Sequence, residues 1–282
     1  ATCVNIKERL DFSCAIFDFE GALIANAPHI PVHLGSMGES IRTIIETRGD
    51  GADGRGIRRG DAYVLNDPYR GGTHLPDVTV IVPVFYGDGD EAPSAFVAAR
   101  GHHADIGGIA PGSMPPDSRS IDEEGVLIDN VLMVDEGHFL EGEIRALLGS
   151  GEWPARNIDR NISDLKAQLA ACVRGAEVLA STARDYGPEV IAVYMRHVLA
   201  NAEESVRRLL DRLDDGAFDY EMDNGARVAV RITIDKASRW ATFDFTGTSA
   251  QLPDNFNAAY SIVRAASLNV VRTLVDDPIP MN

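Results

Sequence analysis

Two short stretches hold most of the polar chemistry of the chain: residues 66–77 (NDPYRGGTHLPD) and residues 101–108 (GHHADIGG). Three of the seven histidines, His74, His102 and His103, lie in them with Asp67, Asp77 and Asp105, amid glycines and prolines. Apolar runs adjoin both: Thr79 to Phe85 (TVIVPVF) follows the first, and Ala95 to Ala99 (AFVAA) precedes the second. The pattern reads as two buried strands whose ends present imidazoles and carboxylates at one place. That donor set suits a divalent metal such as Zn, Mn or Fe. His74-x-x-Asp77 is the sharpest element, because Pro76 and the Gly71–Gly72 pair bar a helix and leave a turn in which both side chains can converge. His102 and His103 are adjacent on an extended segment and so point to opposite sides. One of them faces the site, and the other does something else.

Further candidates surround this pair of segments. Asp11 precedes an apolar strand and is either a surface charge beside Lys7, Glu8 and Arg9 or a fourth, carboxylate ligand. His29 and His33, read as extended chain, share a face about 13 Å apart by strand rise, too far to bind one ion together. They are expected to contact substrate or to pack as polar residues, and Asn66 and Asp67 join them as candidate substrate contacts. Glu123 and Glu124 end a long loop and are either a solvated pair or the source of a catalytic carboxylate. Glu124, His103 and Asp105 are the candidate catalytic groups. His138 and His197 stand alone, and His197, on an amphipathic helix, reads as structural.

These residues must be positioned by regular elements. Residues 13–25 (SCAIFDFEGALIA) read as a β-hairpin turning at Gly21, residues 38–47 as a helix, and residues 62–65 as a short strand delivering the first segment. Residues 48–61 form a glycine-rich surface loop. Residues 109–125 form a Pro/Gly/Ser-rich loop long enough to be an active-site loop or lid. From residue 161 the period changes to helical. Asn161 can cap a helix to about Tyr186, and Gly187-Pro188 breaks it and opens a second helix to about residue 213. Residues 227–234 and 239–247 alternate as an antiparallel pair, and a last helix spans about 259–275. The expected fold is α+β, with mixed, largely antiparallel sheets and a long helical hairpin. The expected units are 1–150 carrying the site, 151–216 as the hairpin, and 217–282 as a β-pair plus helix.

Net charge is −17 and the pI is 4.7, which excludes the basic footprint of a nucleic-acid binder. No apolar run reaches the ~20 residues of a membrane helix, and no signal peptide is read. Cys3, Cys14 and Cys172 have no C-x-x-C spacing, as expected of reduced thiols in a cytoplasm. The start at Ala1 and the stop at Asn282 suggest a piece of a longer polypeptide. There is no G-x-x-x-x-G-K-[ST] loop, no G-x-G-x-x-G after a strand and no G-x-S-x-G elbow. If nucleotide is used, another chain or domain binds it.

The chain resembles the hydantoinase B/5-oxoprolinase family along its whole length. The resemblance is carried by residues 5–18 (NIKERLDFSCAIFD), 29–36 (HIPVHLGS), 66–74 (NDPYRGGTH), 101–108 (GHHADIGG), 111–116 (PGSMPP), 161–168 (NISDLKAQ), 255–258 (NFNA) and 280–282 (PMN). It implies a subunit or part of an ATP-dependent cyclic-amide hydrolase that opens 5-oxoproline, hydantoin or a related lactam. A hydantoinase A-type subunit or fused domain would bind the ATP, giving a hetero-oligomer. The metal ligands of such relatives fall on Asp11, His74, Asp77 and His102. The alternatives are a subunit of an ATP-dependent ketone carboxylase and a non-catalytic scaffold. The family's C-terminal half is absent from this sequence.

Overall fold

A computed structural model describes residues 1–27 and 30–276. In chain order the elements are α1 (Val4–Lys7), β1 (Phe12–Asp18), β2 (Leu23–Asn26), α2 (Pro31–Arg48), β3 (Ala62–Leu65), β4 (Asp77–Val84), β5 (Ala95–His102), α3 (Ile121–Glu124), β6 (Val131–Asp135) and β7 (His138–Phe139). They continue with α4 (Glu141–Leu148), α5 (Ile158–Tyr186), α6 (Pro188–Leu210), β8 (Gly216–Glu221), β9 (Arg227–Asp235), β10 (Trp240–Asp244) and α7 (Tyr260–Thr273). Seven strands form one antiparallel sheet in the order β2-β1-β5-β4-β3-β6-β7, and three form a second in the order β10-β9-β8. The expected α+β class with antiparallel sheets and a helical hairpin is the observed one.

The large sheet is covered on both faces, which is why β4 is buried at all eight positions and reads as a continuous apolar run. On one face Val64, Val78, Val80, Val82, Val97 and Ala99 pack with Ile162, Leu165 and Cys172 of α5. On the other, Phe17, Tyr63, Leu65, Ile81 and Phe96 pack with Met37, Ile41 and Ile44 of α2. Helix α7 lies against the outside of α2. The core therefore runs through the boundary expected at residue 150: α5 is one outer layer of the sandwich, and its apolar stripe belongs to the same cluster as the strands.

Several elements begin elsewhere than expected. Helix α2 starts at Pro31, whose fixed φ suits the first helical position, so His33 sits in a first helical turn rather than on extended chain. Helix α5 starts at Ile158, capped by the Asn157 side chain accepting from Arg160 N. Asn161, the expected cap, is instead inside the helix and buried. Gly187 (φ 94°) and Pro188 separate α5 from α6 as expected. Strand β8 adds a third member to the predicted β9–β10 pair. His29 and the 280–282 motif lie outside the described residues.

Candidate metal centre

Strand parity builds the site. On β4 and β5 every second side chain faces α2, and the pairing sets Asp77 opposite His102 and Thr79 opposite Arg100. On the other side of β5, Ser13 of β1 pairs with Arg100, and the His102 amide donates to the carbonyl of Asp11. Asp77, His102 and the Asp11 segment therefore meet at one end of the sheet, on the α2 face. Helix α2 contributes His33 from its first turn. The turn after β3 contributes His74, held by Asp77 N donating to His74 O at 3.0 Å. Gly71 (φ 95°) lets this turn press on α2, because a Cβ there would come within 2.6 Å of Ser40 Cα.

Asp77 is the hub. Its Oδ2 accepts from Thr73 Oγ1 at 2.7 Å and lies 3.2 Å from His33 Nε2 and 3.1 Å from His74 Nδ1. Its Oδ1 lies at ion-pair distance, 3.4 Å, from His102 Nδ1 and is a buried oxygen without a hydrogen-bond partner. His102 Nδ1 is also 3.8 Å from Asp11 Oδ2, and the His74 and His102 rings are 5.0 Å apart. Ligand atoms of His74, Asp77 and His102 lie within 4.8 Å of one another, as do those of Asp11, His33 and Asp77.

The electrostatics follow from this crowding. Burial would raise the Asp77 pKa, but contacts with His102, His33 and His74 outweigh it and hold the carboxyl well below the usual carboxylate range. Burial lowers the pKa of His33. With Asp77 ionised and able only to accept, His33 Nε2 carries the proton. Its Nδ1 then accepts from Ser13 Oγ at 2.8 Å. For His102 burial is again the largest influence and lowers the pKa, but Asp77 and Asp11 together overcome it and raise it. An unpartnered buried carboxylate oxygen, two imidazole nitrogens and a second carboxylate fit a small divalent cation with N/O ligands. His74, Asp77 and His102 could hold it, with Asp11 3.8 Å from His102, while the second triplet joins Asp11 to His33 and Asp77.

The other predicted site residues have different partners. His103 points to the α5 face: Nδ1 accepts from Asn161 Nδ2 at 3.0 Å, and Nε2 meets Gln168 Oε1 at 3.0 Å. Asp105 accepts from the amides of Gly107, Gly112 and Arg156 and pairs with the Arg156 guanidinium at 2.8 Å, which ties the following loop together. Glu124 Oε1 accepts from Ser118 Oγ inside the 109–125 loop. None of these three catalytic candidates belongs to the Asp77 cluster. Asn66 is fully buried and pinned to Leu75 O, Val126 O and Ile128 N. Asp67 caps the turn at Pro68–Arg70 through Tyr69 N. Both are turn-builders rather than groups free to meet substrate. His33, expected to reach substrate, is 1% exposed and turned inward to Asp77. The 109–125 loop is tied down by Ser113 Oγ to Ile106 N and Gly107 O, and by Asn255 Nδ2 to Pro115 O. His138 and His197 are exposed.

Sequence reasoning did not single out Ser13, Thr73 or Arg100. The signal for Arg100 was available: a guanidinium inside an otherwise apolar strand, two positions from His102 and so on the same face.

Fold and site together define an α+β protein whose central antiparallel sheet ends in a buried histidine–carboxylate cluster. The chain belongs to the hydantoinase B/oxoprolinase family, whose profile matches residues 1–282. It is 46% identical over 290 residues to a 5-oxoprolinase of Pestalotiopsis fici, covering 99% of this chain and 22% of that protein. The fold matches the crystal structure of an ATP-dependent caprolactamase from Pseudomonas jessenii with a TM-score of 0.79 at 26% identity, over 95% of this chain and 45% of that one. A nucleotide-free acetone carboxylase shares the fold with a TM-score of 0.83 at 17% identity, over 98% of this chain and 38% of that one. The chain thus spans about a fifth of the length of the curated relative and under half of each solved neighbour. No helix among the described residues is long and apolar enough to cross a membrane.

Proposed function

We propose that this chain is the metal-bearing part of an ATP-dependent cyclic-amide hydrolase acting on 5-oxoproline, a hydantoin or a related lactam. In this reading Asp11, His74, Asp77 and His102 hold a divalent Zn, Mn or Fe. ATP is used on an A-type subunit or fused domain, and the assembly is a cytoplasmic hetero-oligomer. The relatedness to a 5-oxoprolinase and the likeness to a caprolactamase support the substrate class, and the three free cysteines suit a reducing compartment. The observation that carries the reading is Asp77 Oδ1: a buried carboxylate oxygen with no hydrogen-bond partner, beside His102 and joined through the same carboxylate to His74. A buried ionised oxygen of this kind calls for a cation.

A bound divalent ion would polarise the ring carbonyl or make hydroxide available near neutral pH. The chain's own residues prepare the place for that chemistry. Thr73 and His33 both donate to Asp77 Oδ2, which fixes the carboxylate and leaves Oδ1 as its available oxygen. Asp77 fixes the His33 tautomer, with Ser13 Oγ donating to the free Nδ1, and burial keeps His33 neutral. His74, 34% exposed, and Asp11, 33% exposed, form the solvent side through which a ring could enter.

The test is metal analysis of the full-length protein purified with its accompanying chains, alongside assays of ring-opened acid and ADP. The expected result is about one divalent ion per chain, ATP-dependent ring opening, and loss of both metal and turnover in His74→Ala. Metal-free protein with full turnover would overturn the reading. Incorporation of labelled bicarbonate into a ketone, with no ring opening, would replace it with the carboxylase alternative.

A further inference from the structure

Among the described residues Arg100 is the largest fully buried side chain by volume, at 0% exposed. Among the described residues no carboxylate bonds to it. Its Nε donates to Thr79 Oγ1 at 2.8 Å, one terminal nitrogen to Ser36 Oγ at 2.6 Å, and the other to Ser40 Oγ at 2.8 Å and Gly71 O at 2.9 Å. A buried cation served only by neutral acceptors is costly, and burial pushes its pKa down to about 10, with Asp77 pulling the other way. Phe96 and Ala98, its predecessors on the same face of β5, are ordinary core residues, and an apolar side chain at 100 would avoid the penalty.

What an apolar side chain would lack is reach. The four partners belong to β4, α2 and the turn after β3, and Arg100 itself belongs to β5. These are the elements that carry Asp77, His33, His74 and His102. The guanidinium lies one repeat, about 7 Å, deeper along the strands than the His102–Asp77 pair. Ser40 Oγ also donates to Gly71 O at 2.6 Å, so the turn is bound to α2 twice at this point. A planar fork with five donors meets these four acceptors from three elements at once, one more than the three donors of an ammonium can serve.

We propose that Arg100 is a positioning residue for the metal centre: it locks the four donor-bearing elements in register and supplies the fixed positive charge facing Asp77 from the core side. This rests on the metal reading given above. Arg100 has no lone pair to offer and is not itself a ligand.

The experiment strips the full-length protein with chelator and titrates it with Mn²⁺ and with Zn²⁺, using cooperative thermal unfolding as the check on fold. Variants are Arg100→Lys, Arg100→Met, and the milder Thr79→Val and Ser40→Ala, which each remove one anchor and keep the guanidinium. Affinity is expected to fall about 10- to 100-fold in both Arg100 variants, less in Arg100→Lys because the charge remains. A loss of severalfold is expected in Thr79→Val and Ser40→Ala. Folded variants that bind both metals as tightly as wild type overturn the proposal. If the Arg100 variants do not fold, the Thr79 and Ser40 variants decide it, and unchanged affinity there overturns it. Wild-type protein that takes up neither metal overturns the metal reading, and this inference with it.

Discussion

His102 and His103 are neighbours in sequence and opposites in use. His102 faces α2, beside a carboxylate oxygen without a hydrogen bond and a second carboxylate at 3.8 Å. His103 faces α5, where its Nδ1 accepts from Asn161, so its Nε2 carries the proton and donates to Gln168 Oε1. Both hydrogens of the Gln168 amide are in turn given to Val78 O and Ala99 O. The same two strand ends thus carry, on one face, an ionised carboxylate oxygen without a hydrogen bond and, on the other, a network of neutral groups in which Asn161 Oδ1 is left over. Residue type does not separate the two faces. What separates them is the charge of the oxygen left without a hydrogen bond, an ionised carboxylate on one face and a neutral amide on the other.

Substitutions can break this contrast. Asp77→Asn or His102→Ala is expected to remove the bound metal and to lower ring opening at least about a hundredfold, read by metal content and turnover. His103→Ala is expected to keep the metal but to lose about 1–3 kcal/mol of stability, because Gln168 Oε1 loses its donor and Asn161 Nδ2 keeps only Asp105 O; denaturant midpoints measure this. Equal metal loss in both histidine variants would erase the distinction between the faces. Gly35→Ala tests the cover over the open face. A methyl at 35 overlaps Ala265 Cα of α7, so a cost of about 1–3 kcal/mol and weaker metal binding through displaced His33 are expected.

The pH dependence sharpens the contrast further. Burial lowers the pKa of His103 and of His33 below the unfolded value of 6.5. Below pH 6.5 the unfolded chain takes up these protons before the folded one does. Their contribution is therefore fully present above 6.5 and is lost as pH falls toward the folded values, by up to about 1.4 kcal/mol per pH unit for each group. His103→Gln is expected to flatten that acid slope, read from denaturant midpoints at neutral and mildly acidic pH. The smallest effect belongs to Glu124→Gln, whose acceptor role toward Ser118 survives. Its stability is expected to stay within about 0.5 kcal/mol of wild type, with turnover unchanged. A large loss of turnover would return Glu124 to the site.

Much of this was legible in the sequence, because both strand ends obey a period of two. Once TVIVPVF and AFVAA are read as strands, alternation alone sends His102 and His103 to opposite faces and puts Asp77 with one of them. The helical hairpin was legible from Gly187-Pro188. The site's far side was less so. A start of α2 at Pro31 puts His33 in a helical turn rather than on extended chain and directs it inward to Asp77. Asn161 has the chemistry of a cap, yet Asn157 takes that place and leaves Asn161 to brace His103. Glu124, Asp105 and Asn66 are polar residues in irregular segments, where the backbone's own need for partners absorbs them. Local spacing carries no information about that tertiary demand.

Helix α7 also has a consequence for the order of synthesis. Ser261 Oγ donates to Gly72 O, 189 residues away in the chain, and Ala265 presses on Gly35. At 5–20 residues per second, roughly 10–40 s pass on the ribosome between Gly72 and the segment that clasps it. During that interval the outer side of α2 is bare, which is the window in which a chaperone, or a neighbouring nascent chain, would find it.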